Sequence, residues 1–599
     1  MHCRVQPARW FWWGSWTAVV LVVLGACSPE HYKAEADREV YTIIDGKWQD
    51  SFGERANYTV GDVPALPNDI QIDKVMPASG VLSLAEAVAI ATARNREYQR
   101  QKEQLYLTAL DLTLARHQFA RQWFGTIDTR YLRDSEDEQI SYGTGAGFNQ
   151  LLADGAVISA NIALDWARFL TEDPRSSIRS VLAANVRQPL LRGSGRKVVQ
   201  ENLTQAERNA LYQIRSFNRF RKSFVVSIVD AYYRVLQRRD EVTNAENDYK
   251  SRVASRERVE MEAEAGRKPP FEVDQAKQSE LTAIDNLLRT QQRYEQQLDE
   301  FKIILSFPTD AEIVLDQNEL EVLKEMGVTE PDYTMDAALE TALTQRLDLA
   351  NSQNAVEDAA RKVEVAADNL GAELDLIGSA GVSSTGRTEY RRLEFHRGTY
   401  TLGLEADLPF DRKAERNAYR EAMIALTQRQ RNLDDFVDQV KLDVRQAYRR
   451  LREEAESYRT QQVSLELAKE RVESTSMLLQ AGRATTRDWL ESQDALLRAQ
   501  NNLTGALISH AVAKVNFFRD IGVLQVMPDG MAEQWRPQRA DAGDSPAEPE
   551  EILENSAIRD DIDADGGSGR LDRPSEPSAA VSQVDFRDFL AGPARIWEQ

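Results

Sequence analysis

The residue types that most often bind metals or act as nucleophiles are few in this sequence and do not cluster. Zinc and iron sites need such clusters because several ligands must converge on one ion. No His-Glu-x-x-His segment or paired Cys/His spacing is present. The candidates are His2, His31, His117, His396 and His510, with Cys3 and Cys27. The sequence therefore predicts no metal site, no cofactor and no catalytic centre.

Two glycine-rich segments resemble phosphate-binding loops without meeting their requirements. Residues 143–147 read Gly-Thr-Gly-Ala-Gly, but they lie in a strand pattern and no crossover helix follows. Residues 192–197 read Arg-Gly-Ser-Gly-Arg-Lys, yet Val198 stands where the phosphate-binding motif requires Ser or Thr. The first segment predicts a strand and the second a strand-to-helix transition, so neither predicts nucleotide binding.

Cys27 directly follows a segment that has the features of an export signal. Arg4 and Arg9 precede an apolar run that closes with Leu-Gly-Ala at residues 24–26. A charged start, a short apolar core and small residues at the end are typical of signal peptides. The segment resembles a bacterial lipoprotein signal, which implies that Cys27 is the lipidated first residue and that Ser28 follows it. The alternative is an uncleaved anchor, but the run is short for a membrane span.

The charge of the chain excludes one class of partner. The net charge is −22, from 74 Lys and Arg against 96 Asp and Glu. A nucleic-acid-binding protein needs a basic face, so we predict no nucleic-acid partner. After about Met527 the composition becomes rich in Asp, Glu, Ser, Gly and Pro, which predicts an acidic disordered tail.

A long helical pattern occurs twice, with matching residue types 216 positions apart. It covers residues 202–305 and recurs, much altered, over residues 418–521. Each copy reaches an Ala-Gly-Arg turn, at residues 265–267 and 481–483, and then returns. Residues 196–264 contain no Pro, so one helix of roughly 65 residues could span roughly 100 Å. The second copy carries a coiled-coil heptad pattern at Leu433, Val437, Val440, Val444, Ala447 and Leu451. The sequence therefore predicts two very long hairpins related by internal duplication.

A shorter helical pattern precedes each hairpin. Ser83, with Glu86 placed as in a capping box, predicts a helix running to about Phe119, and Thr334 predicts a similar helix running to about Leu370.

Strand patterns lie between the shorter and longer helices of each half. Apolar and polar residues alternate over residues 399–408 and again over residues 157–166, and residues 143–147 and 181–186 predict further strands. Such strands suit a transmembrane barrel, but they suit a half-buried soluble sheet equally well. The first half holds more strand-like segments than the second.

These patterns divide the chain into six parts. We predict a signal peptide at 1–26, an extended periplasmic lead at 27–81, a first repeat at 82–305, a linker at 306–333, a second repeat at 334–523 and the tail at 524–599.

The repeat resembles the TolC-like outer-membrane efflux proteins. The resemblance rests on residues 83–88 and 95–98 (Ser-Leu-Ala-Glu-Ala-Val and Asn-Arg-Glu-Tyr), on 188–191 (Gln-Pro-Leu-Leu), on 408–412 (Leu-Pro-Phe-Asp-Arg) and on the Ala-Gly-Arg turns. It covers roughly residues 82–523. The implied fold is mainly α with transmembrane β: long coiled-coil hairpins forming an α-barrel tunnel, and four strands per chain in a twelve-stranded β-barrel closed by a homotrimer.

The resemblance also implies partners and a function. The protein would be a passive outer-membrane channel of a tripartite efflux or type I secretion system, lipid-anchored, with a periplasmic adaptor protein and an inner-membrane pump as partners. The hairpin tips, at Gly266, Arg267, Gly482 and Arg483, would contact the adaptor. The two arginines could equally well serve as helix-end charges. The alternative function is a structural periplasmic coiled-coil lipoprotein scaffold with a small soluble sheet.

Overall fold

The computed structural model describes residues 28–48, 58–61, 80–133, 138–169, 176–329, 333–384, 390–408 and 410–526. The signal peptide, Cys27 and nearly all of the acidic tail lie outside these ranges. Leu524 and Val526 are buried against the helices, so the packed part of the chain extends at least to Val526.

The first helix of the structure corrects the prediction of an extended lead. Helix α1 covers Pro29–Lys47, and its amino end is capped by Ser28. It buries Val40, Ile43 and Ile44, which lie three and four residues apart on one face. This short amphipathic stripe is enough for a helix that packs on a larger body, although it is too short to stand out in the sequence.

Each half contains two consecutive helices where the sequence predicted one. Strand β1 (Val81–Leu82) leads into α2 (Leu84–Arg94) and α3 (Arg96–His117). Ser83 and Glu86 form the predicted capping box. Asn95 breaks the helix because its side-chain oxygen accepts hydrogen bonds from the amides of Glu97 and Tyr98, at 2.9 and 3.1 Å, and so caps α3.

Four long strands follow α3. They are β2 (Gln122–Arg133), β3 (Glu138–Leu151), β4 (Val157–Phe169) and β5 (Ser176–Pro189). A four-residue helix, α4 (Arg196–Val199), then precedes the first long hairpin. The predicted single helix from Arg196 is therefore interrupted at Gln200, whose φ and ψ are −91° and 6°.

The first long hairpin consists of α5 (Glu201–Glu264) and α6 (Pro270–Ile304). The 64 residues of α5 span about 95 Å at 1.5 Å per residue. The predicted linker contains β6 (Val314–Leu315), which pairs in parallel with β1, and α7 (Asn318–Met326).

The second half follows the same order with fewer strands. Its elements are α8 (Met335–Gln345), α9 (Leu347–Asp368), β7 (Glu373–Ser383), β8 (Thr399–Asp407), α10 (Lys413–Gln480) and α11 (Thr486–Asp520). The ends of α10 and α11 lie 216 residues after those of α5 and α6. The break between α8 and α9, at Arg346, lies 251 residues after the break at Asn95.

The six long strands form one antiparallel sheet in the order β2-β3-β4-β5-β7-β8. The sheet therefore has two strands more than the four per chain that the family resemblance implies for the barrel, because the first half contributes four strands by itself. β2 and β8 are the two edges of the sheet, and every residue of both strands is exposed.

The long helices lie side by side in the order α6, α5, α11, α10. The shorter helices extend this layer end to end. The side-chain amide of Asn95, at the start of α3, donates a hydrogen bond of 2.9 Å to the carbonyl of Ile304, at the end of α6. At the matching place in the second half, Gly522 follows α11, and a Cβ on it would lie 3.0 Å from the carbonyl carbon of Gln345, just before α9. In this layer, α6 with α3 and α11 with α9 thus form two rows of two helices each. The other two rows are α5 and α10, each a single unbroken helix.

The main hydrophobic core lies where α1, α2, α3 and the β1–β6 pair meet the middle of α5. Tyr232 is fully buried there, and its hydroxyl donates a hydrogen bond of 3.0 Å to the carbonyl of Leu82. A second core joins α8, α10 and α11 around Val440, Val444 and Phe517. Three of the six heptad positions predicted from the sequence, Val440, Val444 and Leu451, are therefore buried as expected. No helix in the described ranges is both long and apolar enough to cross a membrane.

Candidate functional site

The first hairpin tip is closed by a turn that requires glycine. Gly266 has a φ of 68°, a left-handed conformation that residues with a Cβ adopt at a cost. Its amide donates to the carbonyl of Ala263 at 2.9 Å, and the amide of Arg267 donates to that of Glu262 at 2.8 Å. This pair of bonds is a Schellman motif, which satisfies the last carbonyls of α5.

The second hairpin tip has the same geometry. Gly482 has a φ of 71°, and its amide donates to the carbonyl of Leu479 at 3.1 Å. The amide of Arg483 donates to the carbonyl of Leu478 at 2.8 Å. A Cβ on either tip glycine would meet no atom within 4 Å, so only the backbone conformation demands glycine.

Arg267 and Arg483 occupy the same exposed position just after the two turns. Within the described residues, neither guanidinium forms a hydrogen bond or ion pair with another side chain. Both arginines therefore present five N–H donors to the surroundings of the tips.

A polar network joins the two tips to each other. The ammonium of Lys268 donates hydrogen bonds to the carboxylate of Glu272 at 2.9 Å and to the hydroxyl of Thr486 at 2.6 Å. The Thr486 hydroxyl in turn donates to Glu272. Thr486 is fully buried and belongs to the second hairpin, whereas the other two residues belong to the first. The network therefore fixes the position of one tip against the other.

The electrostatics of this network favour the charged form of Glu272. Burial alone would raise the pKa of Glu272, but hydrogen bonds from Thr486 and Lys268 outweigh it and hold the pKa below its ordinary value. The carboxylate is consequently ionised at neutral pH, as the contact with the Lys268 ammonium requires.

Further along the hairpins, a buried arginine joins α5 to α11. Arg252 is 5 % exposed and forms ion pairs with Asp248, at 2.8 Å in its own helix, and with Asp494 in α11. It also donates to the hydroxyl of Ser279 in α6. Burial raises the pKa of Asp248 despite the hydrogen bond from Arg252. One guanidinium thus holds three helices together in a poorly hydrated place.

The two tips differ in how their return helices begin. Thr485 and Asp488 form a capping box at the start of α11. The start of α6 has Pro269 and Pro270 instead and lacks a side-chain cap. Proline suits the first position of a helix because that amide has no intrahelical partner.

The sheet at the opposite end of the long helices has one apolar and one polar face. Many large side chains on the apolar face are exposed, among them Ile127 at 80 % and Leu402 at 79 %, whereas Val382 is buried. The polar face carries Asp128, Asn161, Arg187 and Glu405 at alternate positions. By the strand register, the apolar face comprises Trp123, Ile127, Tyr131, Tyr142, Phe148, Ile158, Ile162, Leu164, Trp166, Leu182, Val186, Leu376, Val382, Tyr400, Leu402 and Leu404.

Sequence reasoning located the tip turns but missed the side chains that join the tips. Glycine followed by arginine at the end of a helical pattern is a local signal. Lys268 and Thr486 meet only because the two hairpins pack together, and no local pattern reveals that contact. In the part of the chain that the structure describes, no group of three or more His, Cys, Asp or Glu side chains could hold a metal ion.

The family model for outer membrane efflux proteins matches residues 338–519, which run from α8 to the end of α11. Residues 338–519 are therefore similar to the outer membrane efflux proteins. The resemblance to the TolC-like outer-membrane efflux proteins is therefore confirmed. The sequence matches no curated protein.

The fold of the chain is also similar to that of solved outer-membrane channels. The outer membrane channel CmeC of Campylobacter jejuni matches with a TM-score of 0.54 at 14 % identity, covering 79 % of this chain and 92 % of CmeC. The outer membrane protein VceC of Vibrio cholerae matches with a TM-score of 0.54 at 14 % identity, covering 73 % and 96 % of the two chains. The open state of the MtrE outer membrane channel of Neisseria gonorrhoeae matches with a TM-score of 0.53 at 12 % identity, covering 78 % and 98 %.

Proposed function

We propose that this protein is an outer-membrane channel that acts as a passive conduit in a tripartite efflux or type I secretion system. The observation that carries the proposal is the exposed apolar face of a sheet built at the end of two hairpins about 95 Å long. Leaving a leucine-sized side chain in water costs about 1.5–3 kcal/mol relative to burying it. Nine of the apolar side chains on this face are exposed, and they need a lipid environment.

The edges of the sheet support assembly with further copies of the chain. β2 and β8 each leave a row of backbone donors and acceptors unpaired, and such groups cannot remain unpaired in a bilayer. If β8 of one chain pairs with β2 of the next, the sheet closes into a barrel and no edge remains. A homotrimer, the assembly that the family resemblance implies, closes it with three such contacts.

The layer of long helices also has two sides that no other helix in the described part of the chain covers. α6 and α10 lie at the two lateral ends of the layer, and both expose large apolar side chains along their length. Leu281 and Leu288 are examples on α6, and Val463 and Leu467 are examples on α10. Packing α10 of one chain against α6 of the next buries both stripes and closes a periplasmic α-barrel tunnel.

The tips are the part of the tunnel farthest from the sheet, and we propose that they contact a periplasmic adaptor protein linked to an inner-membrane pump. The exposed guanidinium groups of Arg267 and Arg483 suit carboxylates or backbone carbonyls on such a partner. Attachment of lipid at Cys27, which lies outside the described residues, would hold each chain at the outer membrane.

The structural scaffold remains the alternative, and the sheet argues against it. A soluble scaffold has no use for a strand face on which leucine and isoleucine side chains are exposed.

Reconstitution tests the proposed function. We expect full-length protein extracted from outer membranes to be a trimer by light scattering in detergent, and to form pores in planar lipid bilayers. A monomer released by cleaving only the lipid anchor, without pore activity, would show that the protein is a scaffold.

A further inference from the structure

All six strands of the sheet are long enough to cross a membrane. A transmembrane strand needs about 9–11 residues when tilted. The shortest strand, β8, has nine residues and the longest, β3 and β5, have 14. The backbone pairing is continuous from β2 to β8, so no strand is separated from the rest of the sheet.

Aromatic side chains border the apolar face at both ends, and they do so on the strands of the first half. Near the helices, the rings of Trp123 and Phe148 lie 5.2 Å apart, and near the far end those of Tyr142 and Trp166 lie 5.3 Å apart. From Trp123 to Tyr131, β2 rises about 27 Å. With a strand tilt near 40° this gives about 21 Å along the membrane normal, close to the apolar band of outer-membrane barrels. Strands β2, β3 and β4 therefore have the height and the aromatic borders of membrane-spanning strands.

The turn between β3 and β4 is packed against the helical part of the chain. The amide of Leu152 donates to the carbonyl of Ala156 at 2.8 Å, closing a short turn. A Cβ on Gly155 would lie 2.9 Å from the carbonyl oxygen of Gly193, which precedes the first long hairpin. This close approach keeps the turn of the β3–β4 hairpin beside the helices, where the other strands also begin or end.

Three successive positions on the polar face of β3 are glycine and carry no side chain. Gly143, Gly145 and Gly147 lie beneath side chains of β2, and a Cβ on Gly147 would come within 2.8 Å of the ring of Phe124. β2 side chains can therefore lie flat across β3, which leaves more open space on the polar side of the sheet.

We infer that all six strands of each chain enter the membrane and that three chains close an eighteen-stranded barrel. The inference rests on the proposed trimeric channel. Barrel diameter grows roughly linearly with strand number, so this barrel is about half as wide again as a twelve-stranded one. Barrels of 16–18 strands leave an aqueous channel. The outer-membrane section then admits large hydrated cargo, such as polypeptides, and selection by size rests with the hairpin tips.

Cysteine labelling in proteoliposomes tests the placement of β4 without altering the fold. Ile162→Cys lies on the apolar face of β4 and Asn161→Cys on the polar face; Leu402→Cys and Thr401→Cys are the matched pair on β8. With a water-soluble maleimide, we expect labelling at residues 161 and 401 and at least tenfold slower labelling at 162 and 402. Unmodified protein gives the background, which should be low because the proposed lipid occupies the Cys27 thiol.

The labelling pattern separates failure of the inference from failure of the proposed function. Rapid labelling at both 161 and 162, with residue 402 still protected, would place β4 outside the membrane and overturn the eighteen-stranded barrel while leaving the channel. Rapid labelling at 402 as well would overturn both.

Electron cryomicroscopy of the full-length trimer in lipid nanodiscs gives an independent count. Eighteen strands crossing the membrane annulus would support the inference, and twelve would refute it.

Discussion

Lys268 in the first hairpin donates a hydrogen bond to Thr486 in the second, although the two residues are 218 positions apart in the chain. Both residues also bind the carboxylate of Glu272, so the three groups form a closed triangle. The contact therefore links the tips of the two hairpins.

Removing the buried hydroxyl should loosen this link. We expect Thr486→Val to leave Lys268 and Glu272 each without one partner, and to destabilise the tip by about 1–3 kcal/mol. Hydrogen exchange of the amides near residues 262–272 and 486–490 should then become faster. Thr427→Val is the control, because the exposed Thr427 hydroxyl bonds only to its own helix, at Met423. Equal exchange in the two variants would contradict the role of Thr486.

The same network predicts a pH-dependent tip. The pKa of Glu272 is lower in the folded protein than its ordinary value of 4.5, so ionisation stabilises the tip. This stabilisation is fully present above about pH 4.5 and is lost as the pH falls through the folded pKa. Spin labels at Ala265→Cys and Ala481→Cys should report a broader distance distribution as the pH falls below 4.5. The change should be absent in Glu272→Gln, and a change of equal size there would exclude Glu272 as its origin.

Arg252 should contribute much more to the stability of the folded protein than an exposed arginine on a neighbouring helix. Arg252→Met leaves the buried Asp248 without its partner, which costs about 3–5 kcal/mol, and also removes the ion pair with the half-exposed Asp494. Arg289→Met removes an exposed pair with Asp285 and should cost about 0–1 kcal/mol. Thermal unfolding followed by helical circular dichroism compares the two variants. A similar melting temperature for both would show that the buried pair contributes little.

The second tip turn should be sensitive to proline. Gly482→Pro cannot adopt the φ of 71° and lacks the amide that bonds to Leu479, so the turn must rearrange. We expect weaker cross-linking to the adaptor protein with trimer assembly intact. Gly482→Asn is the control, since asparagine tolerates left-handed backbone better than other residues. Cross-linking of the proline variant at the level of unmodified protein would exclude a role of this turn in adaptor contact.

Lipid attachment at Cys27 is tested by metabolic labelling. Cys27→Ser removes the thiol that would carry the lipid, so incorporation of radioactive palmitate should disappear. Cys3→Ser is the matched control, because removal of the proposed signal peptide would also remove Cys3. Label that persists in Cys27→Ser would refute the assignment.

The predictions from sequence succeeded where the relevant physics is local. A glycine and an arginine at the end of a helical pattern specify the turns at Gly266 and Gly482, because a helix end must satisfy its own carbonyls. Alternating residues likewise gave the two faces of β8.

The predictions failed where contacts between distant parts of the chain determine the local structure. Asn95 divides one predicted helix in two, because capping α3 and bonding Ile304 together outweigh continuing the helix. Helix α1 gains its stability from the core against which it packs, so its three apolar residues gave no sufficient signal. The ion pair of Arg252 with Asp494 has no counterpart in the other repeat, where Ala468 occupies the position equivalent to Arg252. The internal symmetry therefore could not reveal that ion pair.

The end-to-end arrangement of α6 with α3 and of α11 with α9 has a mechanical consequence. A force applied at the tips passes upward through α5 and α10 as continuous rods, whereas the other two rows can bend at Asn95 and Arg346 without breaking a helical hydrogen bond. Each chain therefore has stiff rows that transmit load alternating with jointed rows that permit twisting.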